Sequence, residues 1–436
     1  MQRTITKRVI GFILIFTMIL SLVPTISLPV IAENEGFINP VNGVVGADFT
    51  GITMPEAKTE YNGFMADPKK DTIPSNAIHI KTEAQLRAIS YAEGYYVLDN
   101  DIYLTAEWVP IYDFTGTFDG QGHSINNLYV LESSNRRNAG LFSSIDKNII
   151  IKNIAVNIGT QGVTAFSSTL LSASSVGGLI GYFESLSNAT IIIDNCYVTG
   201  SIIAKHSYYD NYAGGLIGSA ISGRDMNTTT TTITIRNSYT ISDVTAGTSA
   251  GGLLGYNSDD KYETTTQTSI TIDNSYSISN VTATNGVAGG LIGYTSSNYN
   301  ATKIISIKNC YSNGNILSSY FTGGLIGSFV SNSYDTLTIN ISIENSYAVG
   351  DISTIGSFSE TYAGGIVGAI NSRYNRPITT VMEIKNSYVA CNVTALSYAG
   401  GFVGSYSIFG TDIVIIENSH MIGGISSYYT RICWFY

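Results

Sequence analysis

The chain has 436 residues, of which only 12% are charged, and its formal net charge is −10. This composition argues against nucleic acid as a partner, because phosphate binding needs clustered lysine and arginine. Glycine (44 residues) and tyrosine (30) are abundant. Together with many Ile, Ser, Thr and Asn residues, they predict numerous short strands separated by turns.

Residues 1–32 have the features of a secretory signal peptide. Arg3, Lys7 and Arg8 precede an apolar run over residues 9–23, and residues 30–32 (VIA) fit the small-residue pattern before a cleavage site. The run is short for a bilayer span of ~20 residues, so we expect cleavage after Ala32, with an uncleaved anchor as the alternative. No later segment is apolar enough to span a bilayer. The sequence therefore predicts a secreted or surface-held protein.

The next segments lead into the fold. Residues 33–75 are polar and aperiodic, which predicts a leader or linker, and residues 76–130 are expected to form the opening and capping rungs. A strand is predicted at residues 77–80, followed by a capping box at Thr82 and Gln85 and one short helix. Such a helix would cover the open edge of the first rung. Strands are expected again at residues 96–98 and 101–104.

Two blocks recur through residues 131–425, with a tail at 426–436 whose abrupt end suggests a shortened chain. The first block is Ile-charged-Asn-Ser/Cys-Tyr. The second is Gly-Gly-apolar-apolar-Gly, whose copies begin 34 to 41 residues apart at Gly177, Gly214, Gly251, Gly289, Gly323, Gly364 and Gly400. No single unit could bury its own apolar side, so stacked units are expected to share one core. We therefore predict an all-β fold, a right-handed parallel β-helix (β-solenoid) with a short N-terminal capping helix. A propeller of four-stranded blades is the alternative.

The first block favours the solenoid because stacking brings equivalent residues together, ~4.8 Å apart. One asparagine slot would then form an amide ladder: Asn153, Asn195, Asn237, Asn274, Asn309, Asn345, Asn386 and Asn418. The preceding charges alternate in sign at every step: Lys152, Asp194, Arg236, Asp273, Lys308, Glu344, Lys385 and Glu417. Opposite charges on adjacent strands are favourable, so an exposed charge ladder is expected.

The tyrosine slot allows two interpretations. Its members are Tyr197, Tyr239, Tyr276, Tyr311, Tyr347 and Tyr388. They could form an exposed stripe that binds sugar or a stacked ladder that contributes apolar burial, and we favour the ladder. The preceding slot holds Ser or Cys, and a small buried side chain is all that it is expected to need. Cys196 and Cys310 are three rungs apart in that slot, ~14 Å, so the cysteines are expected to stay unpaired.

The motifs resemble those of the GLUG-repeat family over residues 77–425. The resemblance lies in residues 114–123 (FTGTFDGQGH), 125–128 (INNL) and 139–142 (AGLF), and in the recurring Gly-Gly-Leu-Ile-Gly block. It implies an exported bacterial protein whose repeats are β-helical, as in adhesin-like proteins and immunoglobulin A peptidases. The family's motif residues are structural, so the resemblance assigns no catalytic residue. The zinc site of the peptidases belongs to a separate domain that this sequence does not match.

Residues able to support chemistry are few. The four histidines have no zinc-ligand spacing, and the glycine blocks lack the Lys-Ser/Thr of a phosphate loop. Asp119-Gly120 predicts a tight turn in preference to a calcium loop, since the Asp-x-Asp-x-Asp-Gly spacing is missing. Asp259, Asp260 and Glu263 could form a surface calcium or sugar site, but a solvated loop is favoured. The sequence therefore predicts no catalytic residue, metal or cofactor.

The functional prediction is a non-catalytic, adhesin-like or spacer protein of the cell surface. Variable loops at residues 182–189, 257–268 and 294–302 are expected to bind host or bacterial glycans or extracellular proteins. One alternative is a β-helical carbohydrate-active enzyme, which would need converging carboxylates. Another is the spacer region of a larger surface peptidase.

Overall fold

A computed structural model describes residues 72–433, apart from 90–92, 168–172, 186, 207–209, 224–228, 260–265, 299–300, 334–336, 357–359, 373–377, 409 and 429–430. At residues 167, 206, 410 and 431–433 only the backbone is described. The signal peptide predicted at residues 1–32 lies outside the described residues, as does nearly all of the leader. No described helix is long and apolar enough to cross a membrane.

Four sheets build the fold, and every pairing between their strands is parallel. Sheet 1 contains Ile78–Ile80, Glu93–Leu98, Thr115–Asp119, Ile149–Lys152, Ala189–Asp194, Thr229–Arg236, Thr266–Asp273, Ala301–Lys308, Leu337–Glu344, Ile378–Lys385 and Gly410–Glu417. Sheet 2 contains Ile102–Tyr103, Ser124–Val130, Ala155–Ser167, Tyr197–His206, Tyr239–Ala246, Tyr276–Ile278, Val281–Ala283, Tyr311–Asn313, Ile316–Ser318, Tyr347–Val349, Ile352–Thr354, Tyr388–Ala390, Val393–Ala395, His420–Ile422 and Ile425–Ser427.

The other two sheets are made of shorter strands. Sheet 3 contains Asn138–Ala139, Ser174–Gly177, Asn211–Gly214, Ser249–Gly251, Val287–Gly289, Phe321–Gly323, Tyr362–Gly364, Tyr398–Gly400 and Arg431–Cys433. Sheet 4 contains Phe142–Ile145, Ile180–Ser185, Ile217–Ser222, Leu254–Asp259, Ile292–Ser297, Ile326–Ser331, Val367–Ser372 and Val403–Ser407.

The chain visits sheets 1, 2, 3 and 4 in turn and then returns to sheet 1 one coil further along. Each strand pairs with the equivalent strands of the preceding and following coils, for example Ile233 with Ile191 and Ile270. The prediction of an all-β parallel solenoid is confirmed, with about seven turns. Each complete coil crosses four sheets, and from Tyr276 onward its sheet 2 part is divided into two short strands. The Gly-Gly pair bends the chain between sheets 3 and 4.

The first recurring block forms the corner between sheets 1 and 2. Its asparagine has a positive φ in all eight copies, from 45° at Asn274 to 54° at Asn195 and Asn309. This left-handed conformation is costly for most residues and is tolerated best by Gly and Asn. The corner therefore favours asparagine because it tolerates this backbone conformation. This reason is additional to the amide ladder that the spacing predicts.

The second block forms the corner between sheets 3 and 4, where successive coils come close together. A Cβ atom on Gly252 would clash with the carbonyl oxygen of Gly290 in the next coil. Glycine is required there because only a bare backbone allows this approach. The following apolar residues, such as Leu253 and Leu254, are fully buried.

The central core is one continuous cluster enclosed by the four sheets. In a representative coil it contains Ile233, Ile235, Val244, Ala250 and Leu253, all 0% exposed. Burial at alternate strand positions explains the Ile-x-Ile pattern of sheet 1. The core continues from coil to coil, which is why no unit needs a core of its own.

The N-terminal end contains the predicted short helix, α1 (Glu83–Arg87). The side chain of Thr82 accepts a hydrogen bond from Gln85 N, and the Gln85 side-chain oxygen accepts one from Thr82 N, as expected of a capping box. Leu86 is buried against the first coils, and Arg87 donates to the carbonyl oxygens of Ala106 and Glu107. A 3-10 turn follows later, at Glu132–Ser134.

Candidate functional site

The alternating charges lie in one register column at the end of the sheet 1 strands. Each pairs by backbone register with the next, from Lys152 with Asp194 through to Lys385 with Glu417. The intermediate registers join Asp194 to Arg236, Arg236 to Asp273, Asp273 to Lys308, Lys308 to Glu344 and Glu344 to Lys385. The structure thus places all eight residues side by side, as a solenoid register requires.

Ion pairing within this column is selective. Arg236 Nη2 lies 2.8 Å from Asp194 Oδ2, and Lys308 Nζ lies 3.0 Å from Glu344 Oε2. Lys385 instead contacts Glu383 of its own strand, at 3.0 Å. The charges range from largely buried to half-exposed, so each pair contributes little individually. The column also begins one step earlier than the sequence suggested, because Lys152 Nζ lies 3.3 Å from the buried Asp119.

Asp119 is a buried carboxylate that accepts several hydrogen bonds in the first described coils. Its side chain is 0% exposed and accepts hydrogen bonds from Gln121 N, Asn153 Nδ2 and the Tyr95 hydroxyl. The bond from the backbone two residues later is that of an aspartate-stabilised turn. The structure therefore shows a turn at Asp119-Gly120, and additionally an acceptor for the first asparagine of the ladder.

The asparagine slot forms a mixed ladder. Asn195, Asn274 and Asn345 each donate to the side-chain oxygen of the preceding asparagine, at 3.0, 2.8 and 3.3 Å. Asn237 and Asn309 instead donate to Asp194 and Asp273 of the charge column, at 3.0 and 3.3 Å. Amides and carboxylates therefore share one network. Asn386 and Asn418 continue the slot with the same positive φ.

The Ser/Cys slot has a more specific role than small size. Ser346 Oγ donates to Glu344 O at 2.8 Å and accepts from Cys310 N at 3.1 Å. The same relay links Cys196 to Ser238, Ser238 to Ser275, Ser346 to Ser387 and Ser387 to Ser419. The prediction of a merely small side chain was incomplete, because the slot satisfies a buried backbone N–H of the preceding coil.

Cys196, Cys310 and Cys391 are free and buried. Cys310 Sγ donates to Lys308 O at 2.9 Å, so a thiol replaces the serine hydroxyl as donor. Burial raises the pKa of the Cys310 thiol to about 12, which keeps it protonated and inert. The expectation that the cysteines are unpaired is met by these three, and the side chain of Cys433 lies outside the described part.

The six tyrosines form a stack along the outer side of sheet 2. Successive ring centroids are 5.0, 4.8, 4.5, 4.8 and 4.5 Å apart, and the interplanar angles do not exceed 13°. All but Tyr197 are at most 4% exposed. Burial raises the pKa of the Tyr347 hydroxyl far above its usual value. Successive ring faces contact each other, so this arrangement is the ladder and leaves no room for a sugar between these stacked rings.

The tyrosine stack is separate from the central core. It forms its own cluster with Val349, and Ile241, Ile278 and Ala390 pack against it. The solenoid therefore has a second apolar column outside its sheets, which the sequence did not distinguish from the first. His420 takes the tyrosine position in the last copy, in register with Tyr388.

A second polar row, which sequence reasoning missed, lies further along the same face of sheet 2. Its members are Asp243, Asn280, Asn315, Asp351 and Asn392, and all are exposed. Asn280 Nδ2 donates to Asp243 Oδ1 at 3.1 Å, and Asn392 Nδ2 donates to Asp351 Oδ1 at 3.1 Å. The available signal was an Asp or Asn immediately before the recurring Val or Ile. We call these five residues the Asp/Asn row.

A shallow cleft of about 460 Å³ is lined in part by the Asp/Asn row and in part by residues that pack against the tyrosine stack. Ile241 and Ile278 provide its apolar side, while Asp243, Asn280 and Asn313 provide amides and a carboxylate. A second cleft of about 420 Å³ further along the coils includes Lys205, Asn211 and Asn285. An apolar floor beside donors and acceptors is suited to a neutral polar ligand.

The prediction of loops at residues 182–189, 257–268 and 294–302 was wrong for the two ends of each segment, and residues 186, 260–265 and 299–300 between them lie outside the described residues. Their first parts belong to the strands Ile180–Ser185, Leu254–Asp259 and Ile292–Ser297, and their last parts belong to sheet 1. Asn257, Thr295 and Ser297 are 0% exposed. These polar residues lie inside the solenoid, where they bond to the neighbouring coil.

Asp259 was wrongly predicted to lie in a solvated loop. Its side chain is 0% exposed and forms an ion pair with Lys303, which is also 0% exposed, at 3.1 Å. Asp260 and Glu263, the other members of that acidic group, lie outside the described residues. No group of three or more His, Cys, Asp or Glu side chains in the described part is arranged to hold a metal ion.

Comparison with known proteins does not show a family for this chain. No protein-family model matches the chain, and no curated protein does. Among solved structures, it is similar to a "putative immunoglobulin A1 protease" from Bacteroides ovatus, at 17% identity and a TM-score of 0.37, over 82% of this chain and 79% of that one. The GLUG resemblance therefore stays a prediction, and the protein is defined by its fold as a parallel β-solenoid.

Proposed function

We propose that this protein is an exported, non-catalytic rod of the cell surface, which binds glycans through the outer face of sheet 2. The proposal depends mainly on the Asp/Asn row, which repeats exposed carboxylate and amide groups on successive coils. Each coil offers a similar weak contact, ~4.8 Å from the next. Such repetition suits a repeating polymer, because many weak contacts on one ligand strengthen each other.

The charge distribution supports binding over hydrolysis. Glycoside hydrolysis needs two carboxyl groups facing each other across the substrate. Along the described coils, acids of the charge column are each in register with bases, as Asp273 is with Arg236 and Lys308. In the Asp/Asn row, Asp243 and Asp351 are separated by two asparagines.

Export is supported by the basic start and short apolar run of residues 1–32. Fractionation of the producing cells, with N-terminal sequencing of the product, tests this part. We expect the protein outside the cytoplasm and beginning near residue 33.

A glycan array and a panel of extracellular matrix proteins, probed with the purified chain, test the binding face. We expect weak glycan binding that falls at least tenfold in the double variant N280A/N315A. The matched control T230A/Q267A changes two adjacent outward positions of sheet 1 and should bind normally.

Equal glycan binding by both double variants would contradict a binding site on the outer face of sheet 2. Incubation with pectins, mucins and immunoglobulin A tests the enzyme alternative. Turnover that survives re-purification and disappears on replacing one carboxylate would refute the non-catalytic role.

A further inference from the structure

One charged pair lies inside the solenoid, in a region otherwise filled with small polar and apolar side chains. Lys303 Nζ lies 3.1 Å from Asp259 Oδ1, and both side chains are 0% exposed. Asp259 ends its sheet 4 strand, the sheet 1 strand that follows contains Thr268, and Lys303 is in register with Thr268 one turn further along. The pair therefore joins two successive coils through the interior.

The equivalent positions of the neighbouring coils hold uncharged residues. The residue in register before Asp259 is Ser222 and the one after it is Ser297. The residue in register before Lys303 is Thr268 and the one after it is Ile339. Stacking therefore does not require charge here, and burying two ions is unfavourable unless something specific compensates.

Neighbouring hydrogen bonds fix the positions of both groups. Thr268 Oγ1 donates to Asp259 Oδ1 at 2.5 Å, and Ser297 Oγ donates to Oδ2 at 2.6 Å. Lys303 Nζ also donates to Ser296 O at 3.2 Å, which orients the amine. Burial lowers the pKa of Lys303, although Asp259 opposes this shift, and a neutral amine is the nucleophilic form.

We propose that Lys303 and Asp259 condense to an amide, forming an intramolecular isopeptide crosslink between successive coils. Proton transfer across the existing contact first gives a neutral amine and a neutral carboxylic acid. The Nζ lone pair then attacks Cγ, and the new Nζ–Cγ bond replaces the Cγ–Oδ1 bond. Oδ1 leaves as water, taking the acid proton and one amine proton, and the electron pair of the broken bond goes with it.

The two carboxyl oxygens of Asp259 have different hydrogen-bond partners, so we assign them different roles in the condensation. Oδ1 contacts both Lys303 Nζ and Thr268 Oγ1, so it is the oxygen placed to receive protons and leave. Oδ2 accepts only from Ser297 among its described contacts and remains as the amide oxygen. That donor stabilises the charge that develops on Oδ2 during attack. Fixed geometry and exclusion of water favour condensation over the reverse hydrolysis.

Mass spectrometry of the purified, folded chain tests the crosslink directly. We expect an intact mass lower than the sequence mass by one water molecule. After trypsin, residues 237–261 should be recovered joined to residues 262–308, because a modified Lys303 is not cleaved. An unchanged intact mass after prolonged incubation, with these peptides separate, would overturn the proposal.

The matched control is the double variant D259S/K303T, which carries the residues of the preceding coil at both positions. It should show its full sequence mass and no joined peptide. If it too lost one water molecule, the modification would lie elsewhere and the assignment to this pair would be wrong. The intact mass of the wild-type chain alone shows whether the crosslink forms. The proposal can therefore be tested even if the double variant folds poorly.

Discussion

Reversing one charge of the column tests the solenoid register energetically. Lys308 is in register with Asp273 on one side and Glu344 on the other, and its Nζ lies 3.0 Å from Glu344 Oε2. The substitution Lys308→Glu would place three acidic residues in a row. It would remove the favourable pair and add repulsion from both neighbours.

The expected loss of stability is modest because the pair is partly exposed. The Lys308 side chain is 48% exposed and that of Glu344 is 38% exposed, so the solvent-screened value for exposed pairs, ~0.2–1 kcal/mol each, applies. One lost attraction and two repulsions of that size add to about 0.6–3 kcal/mol at low salt. At 1 M salt the screening length falls to about 3 Å, so most of the effect should disappear.

Urea unfolding at low and high salt measures this difference. Lys308→Gln should lose about a third as much stability, because it removes the attraction without adding the two repulsions. Lys147→Glu changes the net charge equally at an exposed position outside the column and should be nearly neutral. Equal destabilisation by Lys308→Glu and Lys147→Glu, or the same loss at both salt concentrations, would refute the reasoning.

Three further predictions follow from the corners and columns. Asn274→Ala should cost about 1–2 kcal/mol, since alanine is strained at a φ of 45°, whereas Asn274→Gly should cost less; a reversed order in thermal melts would contradict this. Tyr276→Ala should cost about 3 kcal/mol by opening a cavity in the stack, whereas Tyr276→Phe should nearly keep the wild-type melting temperature. The Cys310 thiol should resist alkylation until the chain unfolds. Folding raises the pKa of this thiol from 9.0 to about 12, so its contribution to the free energy of unfolding is complete below pH 9 and is lost towards pH 12. Cys310→Ser should therefore reduce the loss of stability between pH 9 and pH 12.

Much of the fold could be predicted from the sequence because stacking repeats one environment many times. The alternating signs at positions such as Asp273 and Lys308 already implied direct neighbours, and the structure has that register. The left-handed corner at each asparagine was not predicted, because an amide ladder is by itself a sufficient reason for asparagine at that position. The separate tyrosine column was not distinguished either, since burial in either column produces the same pattern.

The interior polar residues could not be predicted for a different reason. A segment such as Asn257 to Asp259 has the composition of a surface loop, and its polar groups are satisfied only by residues of adjacent coils. Asn257 Nδ2 donates to Ala220 O at 2.9 Å, and Lys303 is 44 positions from Asp259. Local propensity contains no information about such partners.

The alternation of sign sets a parity rule for how the solenoid could gain or lose coils. Removing the single coil that carries Lys308 would bring Asp273 beside Glu344, two like charges in register. Removing two coils, those of Asp273 and Lys308, would bring Arg236 beside Glu344 and keep opposite charges together. Gene duplications or deletions that preserve this column should therefore occur in even numbers of repeats.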